Sequence, residues 1–227
     1  SDAIAGVVNF ILRRNFDGVE VRARAGMAEG GYTEKQFAGI LGRKWNGGSA
    51  MIAAEYTHNT HLRGYDLDFY QDDNRDRGGR DLRVQNCNPG TISLGGRTYA
   101  IPQGGVTTAN AGSLVAGTAN RCFYNALDTV IPEQKRYNVT AAVSQDVGDS
   151  VRLFADGFYS YRNGTIAGIN NISATVRNTN PFFVTPVPGT TQETVLWSMV
   201  PTLGPDFNPY HGESWNVVGG IEAKLVG

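Results

Sequence analysis

Gly18-Val19-Glu20-Val21-Arg22-Ala23-Arg24-Ala25-Gly26-Met27 is the stretch whose pattern decides the fold. Its odd positions are apolar, while Glu20, Arg22, Arg24 and Gly26 between them are charged or bare. Side chains of a β-strand point alternately to opposite faces, so this period of two predicts a strand with one apolar and one charged face. The period returns along the chain. Ala50, Ile52, Ala54 and Tyr56 alternate with Ser49, Met51, Glu55 and Thr57. Tyr137, Val139, Ala141 and Val143 alternate with Asn138, Thr140, Ala142 and Ser144. Trp215, Val217, Gly219, Ile221, Ala223 and Leu225 alternate with Asn216, Glu222 and Lys224. Residues 34–45 and 151–162 are strand-like but less regular, with Phe154 and Phe158 on the otherwise polar side of the second run.

Six strands of roughly ten to fourteen residues are thus predicted, against ~5–6 for an ordinary strand. Long strands with one small apolar face and one charged face suit a barrel wall between lipid and a wet or plugged lumen. The connections add a second regularity. Trp45-Asn46-Gly47-Gly48 and Val147-Gly148-Asp149-Ser150 read as tight turns, Asn-Gly being a strong hairpin signal. Glu29-Gly30-Gly31-Tyr32 joins the first two strands. Between strands three and four lie roughly 70 residues, and between five and six nearly 50, far beyond a hairpin loop. If strands run up and down, the two tight turns fall on one side and the other connections opposite. Short periplasmic turns with long extracellular loops, over about residues 63–134 and 164–211, are the asymmetry of an outer-membrane barrel. Trp45, Tyr56, Tyr137, Tyr159, Tyr161 and Trp215 fall near strand ends, where an interfacial girdle would lie.

Composition narrows the class without naming it. Of 227 residues, 41% are hydrophobic and 18% charged, which fits neither a disordered chain nor a helical membrane protein. The 29 glycines fit many turns. A net charge of −1 supplies no global basic field for nucleic acid. Ser1 is no initiator, no signal peptide is visible, and residues 220–226 read as a strand stopped in mid-run, so the chain reads as a piece of a longer one. Cys87 and Cys122 lie in polar, Gly- and Asn-rich sequence and flank a predicted small hairpin over residues 91–101 with a Gly95-Gly96 turn. They fit a disulfide made in an oxidising compartment, two separate thiols being the alternative.

No catalytic motif is present, so no enzyme activity and no cofactor are predicted. His58 and His61 are three apart, on opposite faces of a strand, and no metal site is expected there. The most charged stretch runs from Asp66 to Arg77. In one reading it is a ligand-facing loop in which Tyr65, Phe69 and Tyr70 stack on a small molecule or oligosaccharide while Asp68, Arg75 and Arg77 orient it. In the other it is a solvated loop whose acids are neutralised by Arg75, Arg77 and Arg80. Glu20, Arg22 and Arg24 face the lumen in the barrel reading.

Ser1-Asp2-Ala3-Ile4-Ala5-Gly6-Val7-Val8-Asn9-Phe10-Ile11-Leu12-Arg13-Arg14 resembles the segment that closes the plug domain of TonB-dependent outer-membrane receptors, with Phe10 and Leu12 where Ile and Thr are commoner. Pro132-Glu133-Gln134-Lys135-Arg136-Tyr137 resembles the return of such receptors to the membrane after a long loop. Asn180-Pro181-Phe182-Phe183-Val184 and Pro188-Gly189-Thr190-Thr191 resemble loops of their large proteobacterial branch. The resemblance implies residues 1–17 as the end of a plug with its linker and 18–227 as the N-terminal part of the barrel. It implies an all-β, antiparallel up-and-down transmembrane barrel of 22 strands in the bacterial outer membrane, of which this chain holds about six. The implied function is active import of a siderophore, cobalamin, oligosaccharide or similar bulky nutrient, with the TonB complex and outer-membrane lipid as partners. A passive porin-like channel and a secreted β-rich adhesin or carbohydrate-binding module are the rival classes.

Overall fold

The computed structural model describes residues 16–224; the plug-end resemblance at residues 1–14 lies outside them. Its strands follow the chain as β1 (Gly18–Met27), β2 (Thr33–Trp45), β3 (Gly48–Asn59), β4 (Leu62–Arg63), β5 (Thr91–Leu94), β6 (Arg97–Ala100), β7 (Thr129–Ile131), β8 (Glu133–Val147), β9 (Val151–Gly168), β10 (Asn171–Arg177), β11 (Gln192–Ser198) and β12 (Asp206–Ala223). All strand pairings are antiparallel. The long strands form one six-stranded sheet in the order β1-β2-β3-β8-β9-β12, a meander with each long strand beside the next. The sheet is open, β1 and β12 being its two edges.

The turns follow from local chemistry. Only Asn46 and Gly47 separate β2 from β3; Gly47 takes the left-handed backbone at φ +74° while Asn46 does not, so the turn reverses the chain through the glycine alone. Gly148, also at positive φ, opens the three-residue β8–β9 turn.

Period-two alternation and unbroken register sort the sheet into two faces. Leu41, Ile52, Ala141, Gly157 and Val217 stand in one row with Val19. Glu20, Ile40, Ala53, Thr140, Phe158 and Asn216 form the neighbouring row on the other side. Among the described residues nothing covers the apolar face: Val21 is 81% exposed and Trp215 72%. At one end of it Phe37, Tyr56, Tyr137 and Tyr161 occupy a single row on four adjacent strands. The Tyr56–Tyr137 and Tyr137–Tyr161 ring centroids are 5.0 and 6.2 Å apart. Trp45 stands eight residues along β2 toward the opposite end, its indole N–H donating to Gln145 Oε1 at 2.6 Å.

Two strands are longer than their alternation indicates. β9 continues to Gly168 and β12 starts at Asp206, each with 18 residues, so the second long connection is 169–205 rather than 164–211. The first spans 60–132 rather than 63–134. Gly164, Pro209 and Tyr210 interrupt the visible pattern yet remain paired. Proline is tolerated because β12 is an edge strand with one side free of ladder bonds. A side chain at 164 would collide with the carbonyl of Glu133 and the Tyr210 ring. Its absence lets the Tyr210 hydroxyl accept a 2.7 Å hydrogen bond from Gln134 Nε2.

Among the described residues the buried hydrophobic cluster lies not on the six-stranded sheet but in the long connections. β10-β11-β5-β6 make a second, four-stranded sheet in which β5 comes from the first connection and β10 and β11 from the second. Ile92, Tyr99 and Ile101 are buried there, with Leu94, Val106, Leu114 and Val195 against them. The predicted hairpin is present as β5 and β6, and Cys87 and Cys122 are disulfide-bonded. Across the two connections, Ser198 N donates to Cys87 O at 2.9 Å and Asn86 Nδ2 to Ile172 O at 2.8 Å. The two long loops are therefore one module.

Gly164→Val lowers the stability of the full-length protein by about 1–3 kcal/mol through overpacking, whereas Gly168→Val, at an open position, leaves it unchanged; thermal denaturation compares them. Cys122→Ser removes a link across 35 residues of chain separation, worth about 3–4 kcal/mol in the chain-entropy model. Proteolytic cleavage within residues 88–121 rises while the wall's β-sheet circular dichroism stays.

Candidate functional site

On the polar face of the wall, Glu55 is the hub. Its carboxylate accepts from Gln36 Nε2 at 3.0 Å, Asn138 Nδ2 at 3.4 Å and Thr57 Oγ1 at 3.5 Å. Ser160 Oγ in turn donates to Asn138 Oδ1 at 2.8 Å. Hydrogen bonds thus run sideways across β2, β3, β8 and β9. Beside them Arg22 Nη2 pairs with Glu20 Oε1 at 3.4 Å. Glu20, Arg22, Ala38, Ala53, Glu55 and Asn138 line a groove of about 360 Å³. Small residues leave the room and paired polar groups line it, an arrangement that can meet a polar protein surface or a hydrated solute. Glu20, Arg22 and Arg24 share this polar side, as the alternation predicts, and Arg24 stands opposite Gln36. Lower on the same face Ser49 and Ser144 hydroxyls are 3.3 Å apart, and Arg152 Nη2 donates to Ser144 Oγ at 3.2 Å.

The loop residues singled out in the sequence do not converge. Tyr65, Asp68 and Phe69 are exposed. Tyr70 is a packing residue, its ring 5.6 Å from that of Phe123 and close against Gly64. Arg75 is tied to Asp73 through Nε at 2.8 Å, and Arg77 stands outside that pairing. The neutralised-loop reading gains more from the geometry, but with other arginines than Arg77 and Arg80. Arg83 reaches Asp81 at 3.0 Å and Asp73 at 3.3 Å, and Arg121, next to the disulfide, reaches Asp81 at 3.6 Å. The Arg75 hydrogen bond holds the Asp73 carboxyl below its ordinary range, and the Arg83 hydrogen bond holds Asp81 well below it. In the module, burial pushes the Glu193 carboxyl up, with Thr185 as a hydrogen-bond partner that partly opposes the shift.

One constellation escaped the sequence reading. Arg63 lies between the rings of Tyr65 and Phe207, 5.8 and 5.5 Å from their centroids, and its Nη1 donates to the Tyr65 hydroxyl at 3.1 Å. Phe207 is far away in sequence and only the fold brings it there. His58 meets Glu133 at 3.2 Å rather than His61. Among the described residues no three His, Cys, Asp or Glu side chains are grouped to hold a metal ion. Comparison with protein-family models, curated proteins and solved structures finds no match to this chain.

The depressed Asp73 and Asp81 carboxyls set the pH response of residues 72–83. Stability from a depressed acid is fully present above its unfolded value, about 4, and is lost as pH falls through the folded one. Amide protection factors in this segment therefore hold from pH 7 to 5 and drop only in stronger acid. Arg83→Gln moves that drop toward the ordinary aspartate range.

Proposed function

We propose that this chain is part of the wall of an outer-membrane β-barrel and serves TonB-dependent import of a scarce, bulky nutrient. The observation that carries the membrane part is the uncovered apolar face. A six-stranded sheet whose outward side chains are this exposed has no soluble environment that suits it, since water-soluble proteins rarely present so large a contiguous apolar surface. Lipid suits it. In this reading the backbone groups of β2, β3, β8 and β9 find their partners on both sides within the sheet, as a bilayer requires. From Phe37 to Trp45 the strand rises about 27 Å at ~3.4 Å per residue. Tilted by roughly 35–45° as barrel strands are, that projects to about 19–22 Å along the membrane normal, somewhat short of the full apolar band of about 25 Å. The aromatic row and Trp45 then mark its two interfaces.

Transport, rather than attachment, is supported by the polar face. A wall that is hydrogen-bonded laterally through Glu55 and Asn138 on its inner side fits a lumen holding water or a plug. The TonB-dependent class comes from the resemblance at Ser1–Arg14 alone. The loop module, with exposed Tyr65 and Phe69 nearby, would be the first surface a nutrient meets.

Asn216 and Val217 are exposed neighbours on one strand and differ only in the face they occupy. In the full-length protein, Val217→Arg costs about 2–4 kcal/mol near mid-band and lowers the amount assembled in outer-membrane fractions, whereas Asn216→Arg does not. Equal tolerance of the two, or recovery of the protein in the soluble fraction, would overturn the membrane reading. Nutrient uptake that persists without TonB would overturn the class.

A further inference from the structure

The row directly beyond the aromatic one on the apolar side of the sheet reads Ala25, Lys35, His58, Lys135, Asn163 and His211 across all six strands. Each is two residues, about 7 Å, farther along its strand than the aromatic row. Lys35 and His211 are exposed, and His58 and Lys135 partly so. Two acids face this region. Glu133 is engaged by His58 at 3.2 Å, and Glu213 by the Tyr159 hydroxyl. Both lysines remain without an ion pair among the described residues. Four residues farther along β12, Phe207 shares the apolar side of the sheet with His211 and carries the Arg63 guanidinium against its ring.

The opposite rim is built differently. There the outward rows hold Arg43, Ala50, Val143, Ala155 and Gly219, then Trp45, Gly48, Gln145, Leu153 and Ile221. Arg43 is their single charge. Positive charge on the outward face is thus concentrated at the loop-side edge of the apolar band, where headgroups would lie. Beside it a groove of about 590 Å³ is lined by Lys135, Tyr161, Asn163, Pro209 and His211, and by Glu133, the carboxylate that His58 engages.

We propose that Lys35 and Lys135, with Asn163 and the two imidazoles as further donors, bind the phosphate of a lipid headgroup in the leaflet on the loop side. This rests on the membrane reading above. Ammonium groups hold phosphate as point charges and strengthen where lipid excludes water. The acyl chains would lie along Val139, Ile52 and Trp215 below, so one lipid meets cations at its head and apolar side chains along its length. Continuity of the cationic row with the apolar band selects a lipid over free phosphate.

The test uses the full-length protein in detergent micelles with three probes: dioleoyl phosphatidic acid, dioleoylglycerol and inorganic phosphate. Thermal midpoint and native mass spectrometry give the binding. Phosphatidic acid should bind and raise the midpoint, while the same chains without phosphate, and phosphate without chains, should not. Lys35→Gln with Lys135→Gln should weaken phosphatidic acid about tenfold or more, and Arg43→Gln at the other rim should leave it unchanged. Equal binding by wild type and the double variant overturns the proposal, as does binding of inorganic phosphate as strong as that of the lipid. Circular dichroism without lipid identifies a variant that has failed to fold, and single Lys→Gln variants then decide. A protein found in the membrane with lipid binding insensitive to these lysines loses only this proposal; a soluble protein loses the membrane reading as well.

Discussion

Backbone N–H and C=O groups that cannot reach water must be paired within the protein, and the ladder meets that demand on both sides of β2, β3, β8 and β9, with side chains spare on both faces. Because the ladder holds the sheet together, no core is needed against either face, and the buried apolar cluster among the described residues lies in the loop module. The same ladder fixes register. A slip by one residue would bring Glu20 and Glu55 out among the valines. Every grouping on the sheet, from the Glu55 network to the row of tyrosines, exists because five registers agree.

That dependence explains what could be seen in the sequence. Alternation is local, so Val19 to Met27 declares its two faces by itself, and Asn46-Gly47 declares its turn. The ends of β9 and β12 were hidden because Gly164 and Pro209 break the pattern without breaking the pairing. Tyr56, Tyr137 and Tyr161 were visible as strand-end aromatics, but their common level depends on hairpin register and loop length, which no short window carries. The candidate ligand loop shows the other limit. Tyr65, Phe69 and Tyr70 lie within a few residues of one another, yet Tyr70 turns inward onto Phe123 and Tyr65 meets Arg63 and Phe207. Proximity along a loop says little about convergence in space.

Charge tells a similar story. The whole-chain balance of −1 conceals a sheet whose apolar-side cations gather at one end, and a loop whose acids are matched by Arg75, Arg83 and Arg121. Net charge averages over faces; function is decided by which face a charge occupies.

The joining of the two long connections through β5 and β11 changes what they can do mechanically. Separate loops, each anchored at two points, could swing independently. Linked by a shared sheet and core, they form a single body with four tethers, to the ends of β3, β8, β9 and β12. Such a body loses most of its degrees of freedom. It can tilt or lift as a unit, and any tilt pulls on four wall strands at once. Whatever touches the module is therefore felt along two thirds of the width of the sheet, through the tethers at those four strands.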